Sequence, residues 1–372
     1  MYFETSRREK QVEGSSQLMR IGYDAKRLFN NRGGLASYAR TLILSLRSYY
    51  PNVIIYLYTT RIKTPFDMSE IIDDPDIIIR TYKGPFSWYW RSKGLVKQLL
   101  NDRIQIYHGL ACELPIGIDN TNIKTIVTIH DALWKYHKND YGITDRMILN
   151  KKLSYALDKS DHFICVSQST LMSLSSYDVF DDTKVTVIEP IAGPEFYMDS
   201  HQCQVLAEDY DLPPRFILAV GNKKRRKNIA FLVESLQYLK TDNVELVIVG
   251  NEAEYTRKVI QISGLEYHEL PCLYKLADLC VYPSINEGFG LPILESILSG
   301  TPVLAMDKAP MNRLNSELLY LFPYDASPKD LAVFLDETLM VGADKSHAGL
   351  ENQITSKNYS TTHFELYHSL LA

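Results

Sequence analysis

The sequence predicts an α/β protein with two doubly wound domains, each built on a parallel sheet. Short apolar, β-branched runs alternate with helical segments from Met19 onward, which is the pattern of parallel strands joined by crossover helices. Polar or glycine-bearing loops follow several of these runs, as they do at the ligand-binding edge of such sheets. The length of 372 residues suggests two domains, because single cores rarely extend beyond about 250–300 residues.

Composition narrows the class of protein. The hydrophobic fraction is 45% and the charged fraction is 23%, values typical of a soluble globular protein. The formal net charge of −5 argues against a general nucleic-acid binder. No apolar run approaches the roughly 18 residues that a membrane-spanning helix needs.

The cysteines and the N-terminal residues indicate the cellular compartment of the protein. The five cysteines are scattered, odd in number and without C-x-x-C spacing, which argues for a reducing compartment and against structural zinc. They are Cys112, Cys165, Cys203, Cys272 and Cys280. Residues 1–18 are polar and charged and lack the apolar core of a signal peptide, so we expect a flexible leader. A cytoplasmic protein is therefore the expectation.

The first half of the chain contains seven predicted strands. Gly33 and Gly34 open a helix over about Leu35–Leu46, either as a flexible turn or as a loop that approaches a ligand. Ser167 is the expected N-cap of a later helix. The predicted strands are Met19–Asp24, Val53–Tyr58, Asp76–Tyr82, Ile104–His108, Lys124–His130, His162–Val166 and Lys184–Ile188.

Two loops of this half invite a chemical interpretation. Asp74-Pro75-Asp76 is a D-x-D pattern that holds a metal in some enzymes, but its polar setting favours a solvated turn. The run PFSWYWRSKG over 85–94 combines aromatic and basic residues. Such a run can lie on a membrane surface or a lipid-linked acceptor. The interpretation we favour is a helix packed on its own domain.

A polar pair, His130-Asp131, ends the most β-branched of the predicted strands. Side chains at the carboxyl end of a parallel strand are placed to meet a ligand. A structural histidine bonded to the backbone is an alternative. A metal cluster of His130, Asp131, His137 and Asp140 is disfavoured, because the spacing fits no compact zinc pattern.

The second half repeats the alternation after a polar linker at 198–214. Helices are expected over Asn228–Leu239, Lys329–Met340 and Thr361–Leu371. The crossover before the third strand is short, offering only Glu252–Lys258. The predicted strands are Arg215–Val220, Glu245–Val249, Val259–Gly264, Leu279–Tyr282 and Pro302–Ala305.

A basic loop, GNKKRRKN, joins the first strand and the first helix of this half. A strand, a glycine and clustered lysines and arginines before a helix N-terminus suggest a grip on phosphate. The alternative is a solvated or nucleic-acid-binding face. The net negative charge of the chain and the position of the loop favour phosphate.

The stretch LCVYPSINEGFGLPILESILSGTPVLA, over 279–305, organises the second half. Its loop Asn286–Gly290 lies between a buried strand and a helix, where free N–H groups and the helix dipole favour an anion. Glu287 and Glu295 can both face one cleft from this position. Two carboxylates beside an anion site suit a nucleotide-sugar, with its phosphates and hydroxyls. An ordinary strand–turn–helix is the alternative.

These motifs resemble one known family. E-G-F-G-L-P-x-x-E, with its setting between Y-P-S and S-G-T-P-V, is similar to the signature of family 4 of the retaining glycosyltransferases. Y-H-G-L-x-x-E-L-P, starting at Tyr107, resembles bacterial members of the same family. The resemblance covers nearly everything from Met19 onward. It implies the GT-B fold, in which two Rossmann-like domains face each other across a cleft.

The resemblance also implies domain bounds. We expect an acceptor-binding domain over 19–197, the linker over 198–214 and a nucleotide-sugar-binding domain over 215–350. Residues 351–372 should then form a helix that packs back on the first domain.

Site roles follow from the same resemblance. It implies three catalytic residues. His130 positions the donor sugar, Glu287 binds the sugar hydroxyls, and Lys227 holds the diphosphate. Asn222 stands where relatives have an arginine, and Arg226 can substitute for it. The other implied donor-binding residues are Gly33, Gly34, Gly264, Leu265, Gly288, Phe289, Gly290, Leu291 and, on the ribose, Glu295.

The implied reaction moves a hexose from GDP-mannose or a UDP-hexose to a surface polysaccharide or lipid-linked oligosaccharide. It needs neither metal nor cofactor, and peripheral contact with the inner membrane is compatible with such an acceptor. A catalytically weakened binding subunit is the alternative, motivated by Asn222, the short crossover and the altered turn at Pro190. A dehydrogenase is poorly supported, because no G-x-G-x-x-G follows the first strand.

Overall fold

The computed structural model describes most of the chain. Its description covers residues 18–372 except for several short segments. The segments outside it, together with residues 1–17, are residues 32, 64–67, 178, 197–202, 222–223, 251–254, 256–258, 267 and 342–354.

The first sheet has seven strands in the order β3-β2-β1-β4-β5-β6-β7. The paired strands whose register is defined run parallel, with Ile21 of the central strand opposite Ile55 and Ile106. The strands are β1 (Met19–Asp24), β2 (Val53–Thr59), β3 (Ile77–Thr81), β4 (Ile106–Gly109), β5 (Lys124–Ile129), β6 (His162–Cys165) and β7 (Val185–Val187).

The second sheet has six strands in the order β10-β9-β8-β11-β12-β13, again with parallel pairing. Its central strands carry almost continuous apolar runs, as sheets covered by helices on both faces require. The strands are β8 (Phe216–Val220), β9 (Glu245–Val249), β10 (Ile260–Ile262), β11 (Leu279–Tyr282), β12 (Val303–Met306) and β13 (Leu319–Phe322).

Helices connect the strands. A five-residue π-helical turn, Trp90–Gly94, joins α4 and α5 into one continuous rod. The α-helices are α1 (Lys26–Asn30), α2 (Gly34–Tyr49), α3 (Ser69–Ile72), α4 (Ser87–Tyr89), α5 (Leu95–Asn101), α6 (Ile143–Lys159), α7 (Gln168–Leu174), α8 (Cys203–Asp209), α9 (Ile229–Ser235), α10 (Glu269–Leu276), α11 (Leu291–Leu298), α12 (Pro328–Val341) and α13 (Ser356–Leu371).

The chain divides into two compact units. The first contains residues 1–128, 155–163 and 356–372, and the second contains 129–154 and 164–355. Thus α13 belongs to the first unit, while the segment 129–154 groups with the second. This division differs from a simple cut at the interdomain linker.

Helix α13 is bound into the first unit by aromatic and polar side chains. The ring of Phe364 stacks on Tyr50 with centroids 4.0 Å apart. The hydroxyl of Tyr367 lies 3.1 Å from that of Tyr23 and 2.8 Å from Nδ1 of His108. His108 in turn lies 2.7 Å from the Thr128 hydroxyl. A buried hydrogen-bonded chain therefore joins this helix to β1, β4 and β5.

The predicted α/β architecture of two parallel sheets is confirmed. Glu245–Val249 and Leu279–Tyr282 match the observed strands residue for residue, and Ser167 caps α7 by accepting a hydrogen bond from the Thr170 N–H at 3.0 Å. Strand β13 was not predicted, because its segment LYLF follows an irregular polar stretch. The short crossover Glu252–Lys258 lies, apart from Tyr255, outside the described residues.

Two local interpretations change. The D-x-D loop is a turn, but its carboxylates pair with Arg47, at 3.0 Å from Asp74 and 2.9 Å from Asp76. In the 85–94 segment Trp90 and Arg91 contact their own domain, but the favoured interpretation is wrong for Phe86, Trp88 and Tyr89, which are 71%, 69% and 52% exposed.

Two of the five cysteines form a disulfide. Cys203 on α8 is bonded to Cys272 on α10, with their Cα atoms 4.9 Å apart. Their separation of 69 residues hid this pairing from the sequence pattern. The reducing compartment that the scattered cysteines suggested stays a prediction. Within the described residues, no helix is both long and apolar enough to cross a membrane.

Candidate active site

The loop between β11 and α11 provides the framework of the site. Gly290 has a φ of 104°, a left-handed conformation that favours glycine and turns the chain into α11. A Cβ at Gly288 would overlap the carbonyl oxygen of His130, so this position requires glycine for a close backbone approach. Pro292 lies in the first turn of α11, where its missing N–H costs no helical bond.

Glu287 is the carboxylate of this loop, and two cations pair with it. Its Oε1 lies 2.7 Å from Nη1 of Arg226 and 2.8 Å from Nζ of Lys227, and the Ser284 hydroxyl donates to it at 2.5 Å. Only 9% of the Glu287 side-chain surface is exposed. Burial opposes its charge, but Lys227 and Arg226 outweigh that effect and lower the pKa of Glu287 to about 2. Glu287 is therefore ionised across the physiological range.

Glu295, one helical turn into α11, lies in the opposite electrostatic environment. It is 5% exposed, and the hydroxyl of Tyr274 donates to its Oε2 at 2.9 Å. Burial raises the pKa of Glu295 to about 7, against the smaller opposing effect of the Tyr274 hydrogen bond. The pKa values of the two glutamates thus move in opposite directions, because Lys227 and Arg226 pair directly with Glu287, whereas the charge of Lys227 has only a minor effect on Glu295.

The basic loop after β8 supplies those cations. Arg226 is only 8% exposed and also donates to the Asn286 carbonyl at 3.2 Å. Lys227 donates to the Tyr282 hydroxyl at 2.9 Å. The loop is therefore not a solvated face at these two positions. Asn222, the departure from the family pattern, lies outside the described residues.

A second carboxylate occupies backbone donors of the same loop. The N–H groups of Arg225 and Arg226 donate to the two oxygens of Asp140, at 2.9 and 3.2 Å. Next to them, Nζ of Lys224 lies 4.3 Å from the ring centroid of Tyr141. Two carboxylates, Asp140 and Glu287, thus occupy backbone donors and cations of the loop that was predicted to bind phosphate.

The His130-Asp131 pair lies against the glycine loop within the second unit. The Thr170 hydroxyl donates to the His130 carbonyl at 3.0 Å, and the Ser167 hydroxyl donates to the Gly288 carbonyl at 2.5 Å. The Asp131 carboxylate accepts the Leu133 N–H at 3.0 Å. In the described residues no group of three or more histidine, cysteine, aspartate or glutamate side chains could hold a metal ion.

The remaining predicted donor residues are placed as follows. Gly33 and Gly34, in the first unit, form the N-cap and first residue of α2 and are exposed. Gly264 has a φ of 79° just after β10, and the neighbouring Leu265 is buried. Leu291 begins α11. Their contacts with a donor stay predictions.

A cavity of about 280 Å³ adjoins the glycine loop. Its lining is mostly apolar, and Glu189 and Arg313 are its charged residues. Its walls are formed by Phe289, Gly290, Ile293, Pro310, Met311, Leu314 and those two charged residues. The cavity is of a size that can hold part of a small ligand.

Several site residues were not singled out from the sequence. Ser284, Tyr274 and Tyr282 position the two glutamates and Lys227, and Asp140 holds the basic loop. Tyr282 and Ser284 are the first and last residues of the Y-P-S segment at the end of β11, and that position was an available signal. Asp140 was weighed from the sequence only as a metal ligand. Neither Asp140 nor Tyr274 carried a signal for its observed contact, because the partners are far along the chain.

Comparison with known proteins agrees with this arrangement. The family model described as Glycosyltransferase Family 4 matches residues 32–192, and the one described as Glycosyl transferases group 1 matches residues 207–332. Two parallel-sheet Rossmann-like units and a paired-glutamate loop define a GT-B glycosyltransferase. The chain belongs to glycosyltransferase family 4.

The relatives of the chain include mannosyltransferases, one of which is named for the O-antigen chain. The serotype-specific mannosyltransferase WbdA of Escherichia coli is 27% identical over 221 residues, which is 53% of this chain and 27% of WbdA. The chain therefore spans about a quarter of that relative. The O-antigen chain mannosyltransferase RfbU of Salmonella typhimurium is 25% identical over 276 residues, covering 68% of this chain and 73% of RfbU.

A solved structure shows the same fold. Anabaena HepE, crystallised in complex with UDP-glucose, superposes with a TM-score of 0.70 at 15% sequence identity. The match covers 94% of this chain and all of HepE.

Proposed function

We propose that the protein is a retaining hexosyltransferase that moves a sugar from a nucleotide-sugar to a saccharide acceptor. One observation carries the proposal: Lys227 and Arg226 converge on Glu287 at the entrance to the Gly288–Gly290 loop. Buried cations beside free backbone N–H groups suit a diphosphate. In the free protein Glu287 neutralises them, and in the complex the diphosphate would share them.

The proposed chemistry requires stabilisation of the leaving group. The bond between the sugar C1 and the β-phosphate oxygen breaks, and the acceptor hydroxyl attacks C1 from the same face. The hydroxyl proton passes to the departing phosphate oxygen. Lys227, Arg226 and the loop N–H groups would stabilise the charge on that phosphate, which is usually the largest single contribution to such catalysis. No nucleophile of the protein and no metal take part in this scheme.

The two glutamates would divide the recognition of the donor. In this assignment, Glu295 accepts hydrogen bonds from the ribose hydroxyls, and ionised Glu287 binds hydroxyls of the sugar. The His130 side chain positions the sugar. The cavity beside Phe289 and Gly290 offers room next to the same loop. Asn222 has no described geometry, so Arg226 takes the role of the missing arginine in the proposal.

The relatives guide the choice of substrate. WbdA and RfbU are named as mannosyltransferases, which supports GDP-mannose as the first donor to test. The UDP-glucose complex of HepE supports testing UDP-hexoses as well. The O-antigen chain in the name of RfbU supports a surface polysaccharide or lipid-linked oligosaccharide as acceptor. A cytoplasmic location with peripheral contact with the inner membrane fits such a donor and acceptor.

A second candidate function is a binding subunit with weakened catalysis. Asn222, in place of the relatives' arginine, and the two internal carboxylates at the phosphate donors favour it. Such a protein would bind nucleotide-sugars without turning them over.

The test combines binding with turnover. We expect GDP-mannose or a UDP-hexose to raise the melting temperature of the protein, because a ligand that binds only the folded state stabilises it. The stabilising donor should then release its nucleoside diphosphate, with transfer to an oligosaccharide acceptor and retention of the anomeric configuration in the product by NMR. Stabilisation without transfer or hydrolysis would favour the binding subunit. Absence of stabilisation by every nucleotide and nucleotide-sugar would overturn both candidates.

A further inference from the structure

The start of the α4–α5 rod, in the first unit, exposes an unusual set of aromatic side chains. Phe86, Trp88 and Tyr89 are 71%, 69% and 52% exposed, although they are among the largest apolar residues of the chain. The rod is anchored to its own unit elsewhere: Leu95 and Leu99 are buried, and Trp90 stacks on Tyr82 with ring centroids 4.8 Å apart. The exposed aromatics therefore project from a firmly packed element.

The backbone holds these aromatics in a defined position. Phe86 has a φ of 57°, in the left-handed region that a bulky residue adopts only at a cost. Its carbonyl accepts the N–H groups of Tyr89 and Trp90, at 2.9 and 3.1 Å, and so begins the rod. In this conformation Phe86 is 71% exposed, so packing within its own unit offsets little of the cost of the strained backbone. A partner outside the chain would account for this arrangement.

The rod and the turn that precedes it carry charged residues of one sign. Residues 82–101 contain four basic residues and no acidic residue, although the whole chain has a net charge of −5. Arg91 is neutralised within the unit by Asp24 and Glu113. Three exposed lysines remain to face outward: Lys83, Lys93 and Lys97.

Aromatic and basic residues share one side of the rod. Tyr89, Lys93 and Lys97 recur at four-residue spacing and are all exposed, so they form a stripe along the rod. Ile116, 48% exposed, lies beside it, since its N–H donates to the Ser92 carbonyl at 2.6 Å. The stripe and three exposed residues that precede it along the chain are called the aromatic–lysine face. Its members are Lys83, Phe86, Trp88, Tyr89, Lys93 and Lys97.

We propose that the aromatic–lysine face binds the surface of an anionic lipid bilayer. Tryptophan and tyrosine rings prefer the boundary between headgroups and acyl chains, and lysines beside them attract anionic headgroups. The charge of the face is complementary to such a leaflet. The aromatic tip enters the interface while the lysine stripe lies along the phosphates. The proposal draws its biological purpose from the proposed function, since it would bring the enzyme to a lipid-linked acceptor, but its evidence is independent of the transfer chemistry.

The test uses the full chain with vesicles of two compositions. We expect co-sedimentation with vesicles of phosphatidylglycerol and phosphatidylethanolamine, and at least about tenfold weaker partitioning onto pure phosphatidylcholine vesicles. Binding to the anionic vesicles should weaken as salt is raised. Brominated lipids should quench the tryptophan fluorescence of the wild type, and Trp88→Phe should lose most of that quenching.

Two variant sets separate the parts of the face. Phe86→Ser/Trp88→Ser/Tyr89→Ser and Lys83→Glu/Lys93→Glu/Lys97→Glu should each reduce binding to anionic vesicles by roughly tenfold or more. Tyr324→Ser is the matched control, because Tyr324 is 72% exposed and lies in the second unit. Circular dichroism and thermal unfolding confirm that each variant is folded.

The outcomes distinguish this proposal from the proposed function. Failure of the wild type to bind anionic vesicles, or equal binding by all variants, would overturn the membrane proposal. Self-association that the aromatic variant abolishes, without vesicle binding, would show that the face binds a second copy instead, and would also overturn it. Vesicle binding by a protein that binds no nucleotide would overturn the proposed function alone.

Discussion

The carboxylate of Glu287 and the ammonium of Lys227 form a buried ion pair, with Oε1 2.8 Å from Nζ. In the proposed complex, a diphosphate would compete with that carboxylate for the same cation. The strength of donor binding would therefore depend on how readily Lys227 and Arg226 can be shared.

Removal of the lysine charge tests the phosphate grip. Lys227→Met should lower turnover by roughly a hundredfold, because it removes a charge that stabilises the leaving diphosphate. Lys224→Met is the control in the same loop, since Lys224 lies against the ring of Tyr141 instead and should cost far less. Steady-state rates of nucleoside diphosphate release provide the measurement. Wild-type turnover in Lys227→Met would show that the loop does not bind the leaving group.

The two glutamates should differ in what they bind. Glu295→Gln should weaken binding of the free nucleoside diphosphate as well as of the full donor, because the ribose contact is common to both. Glu287→Gln should instead spare nucleotide affinity and lose turnover. Titration calorimetry with the nucleotide alone separates the two results. Equal loss of nucleotide affinity in both variants would refute the division of roles.

The raised pKa of Glu295 predicts a pH-dependent stability. Its pKa is about 7 in the folded protein against an ordinary value of 4.5, so the native state keeps a proton that the unfolded chain releases between these values. The contribution of this carboxyl to the free energy of unfolding is therefore fully present below pH 4.5 and is lost as the pH rises to 7. A shift of this size corresponds to roughly 3 kcal/mol.

Glu295→Gln should remove that dependence. Urea unfolding of the variant should show higher stability than the wild type at pH 8 and little difference at pH 4.5, because glutamine resembles the protonated acid. Glu337→Gln, on the exposed side of α12, is the control and should change neither curve. A variant that is less stable than the wild type at pH 8 would contradict the assignment of a buried, protonated carboxyl.

Asp140 should act as an internal competitor of the diphosphate. Its carboxylate accepts the N–H groups of Arg225 and Arg226, so Asp140→Asn should free them and tighten inorganic pyrophosphate binding severalfold. Asp145→Asn, in the first turn of α6, is the control. Weaker pyrophosphate binding in Asp140→Asn would mean that the carboxylate instead holds the loop in its binding shape.

Catalysis should proceed without a metal ion. Because Lys227 and Arg226 already supply positive charge at the proposed phosphate position, saturating EDTA should leave the transfer rate unchanged. The assay needs dialysed protein and metal-free donor. An absolute requirement for manganese or magnesium would contradict the mechanism proposed above.

The sequence predicted local structure better than it predicted partners. The strand Leu279–Tyr282, the glycine turn and the helix with Glu287 and Glu295 follow from apolar runs and glycine positions, which act over a few residues. The ion pairs of Glu287 join it to residues about 60 positions earlier in the chain. No periodicity records such a pairing, and the family resemblance supplied the basic loop only as a phosphate site.

The sequence pattern also did not predict which aromatic side chains are exposed to solvent. Trp88 and Trp90 are two residues apart in one aromatic run, yet one is 69% exposed and the other stacks on Tyr82. The difference depends on Tyr82 and on the left-handed turn at Phe86, which orient the start of the rod. Likewise, the bond between Cys203 and Cys272 depends on how α8 packs against α10.

The hydrogen bond between Tyr23 and Tyr367 spans 344 positions of the chain, and it has a consequence for biosynthesis. During synthesis on the ribosome, β1 emerges long before α13. Tyr23 and His108 therefore lack their partner Tyr367 until the second unit has been synthesised. A nascent first unit would therefore expose polar groups and apolar surface that α13 later covers, and would be a natural client for chaperones. A nonsense mutation shortly before Ser356 would leave it in that state permanently.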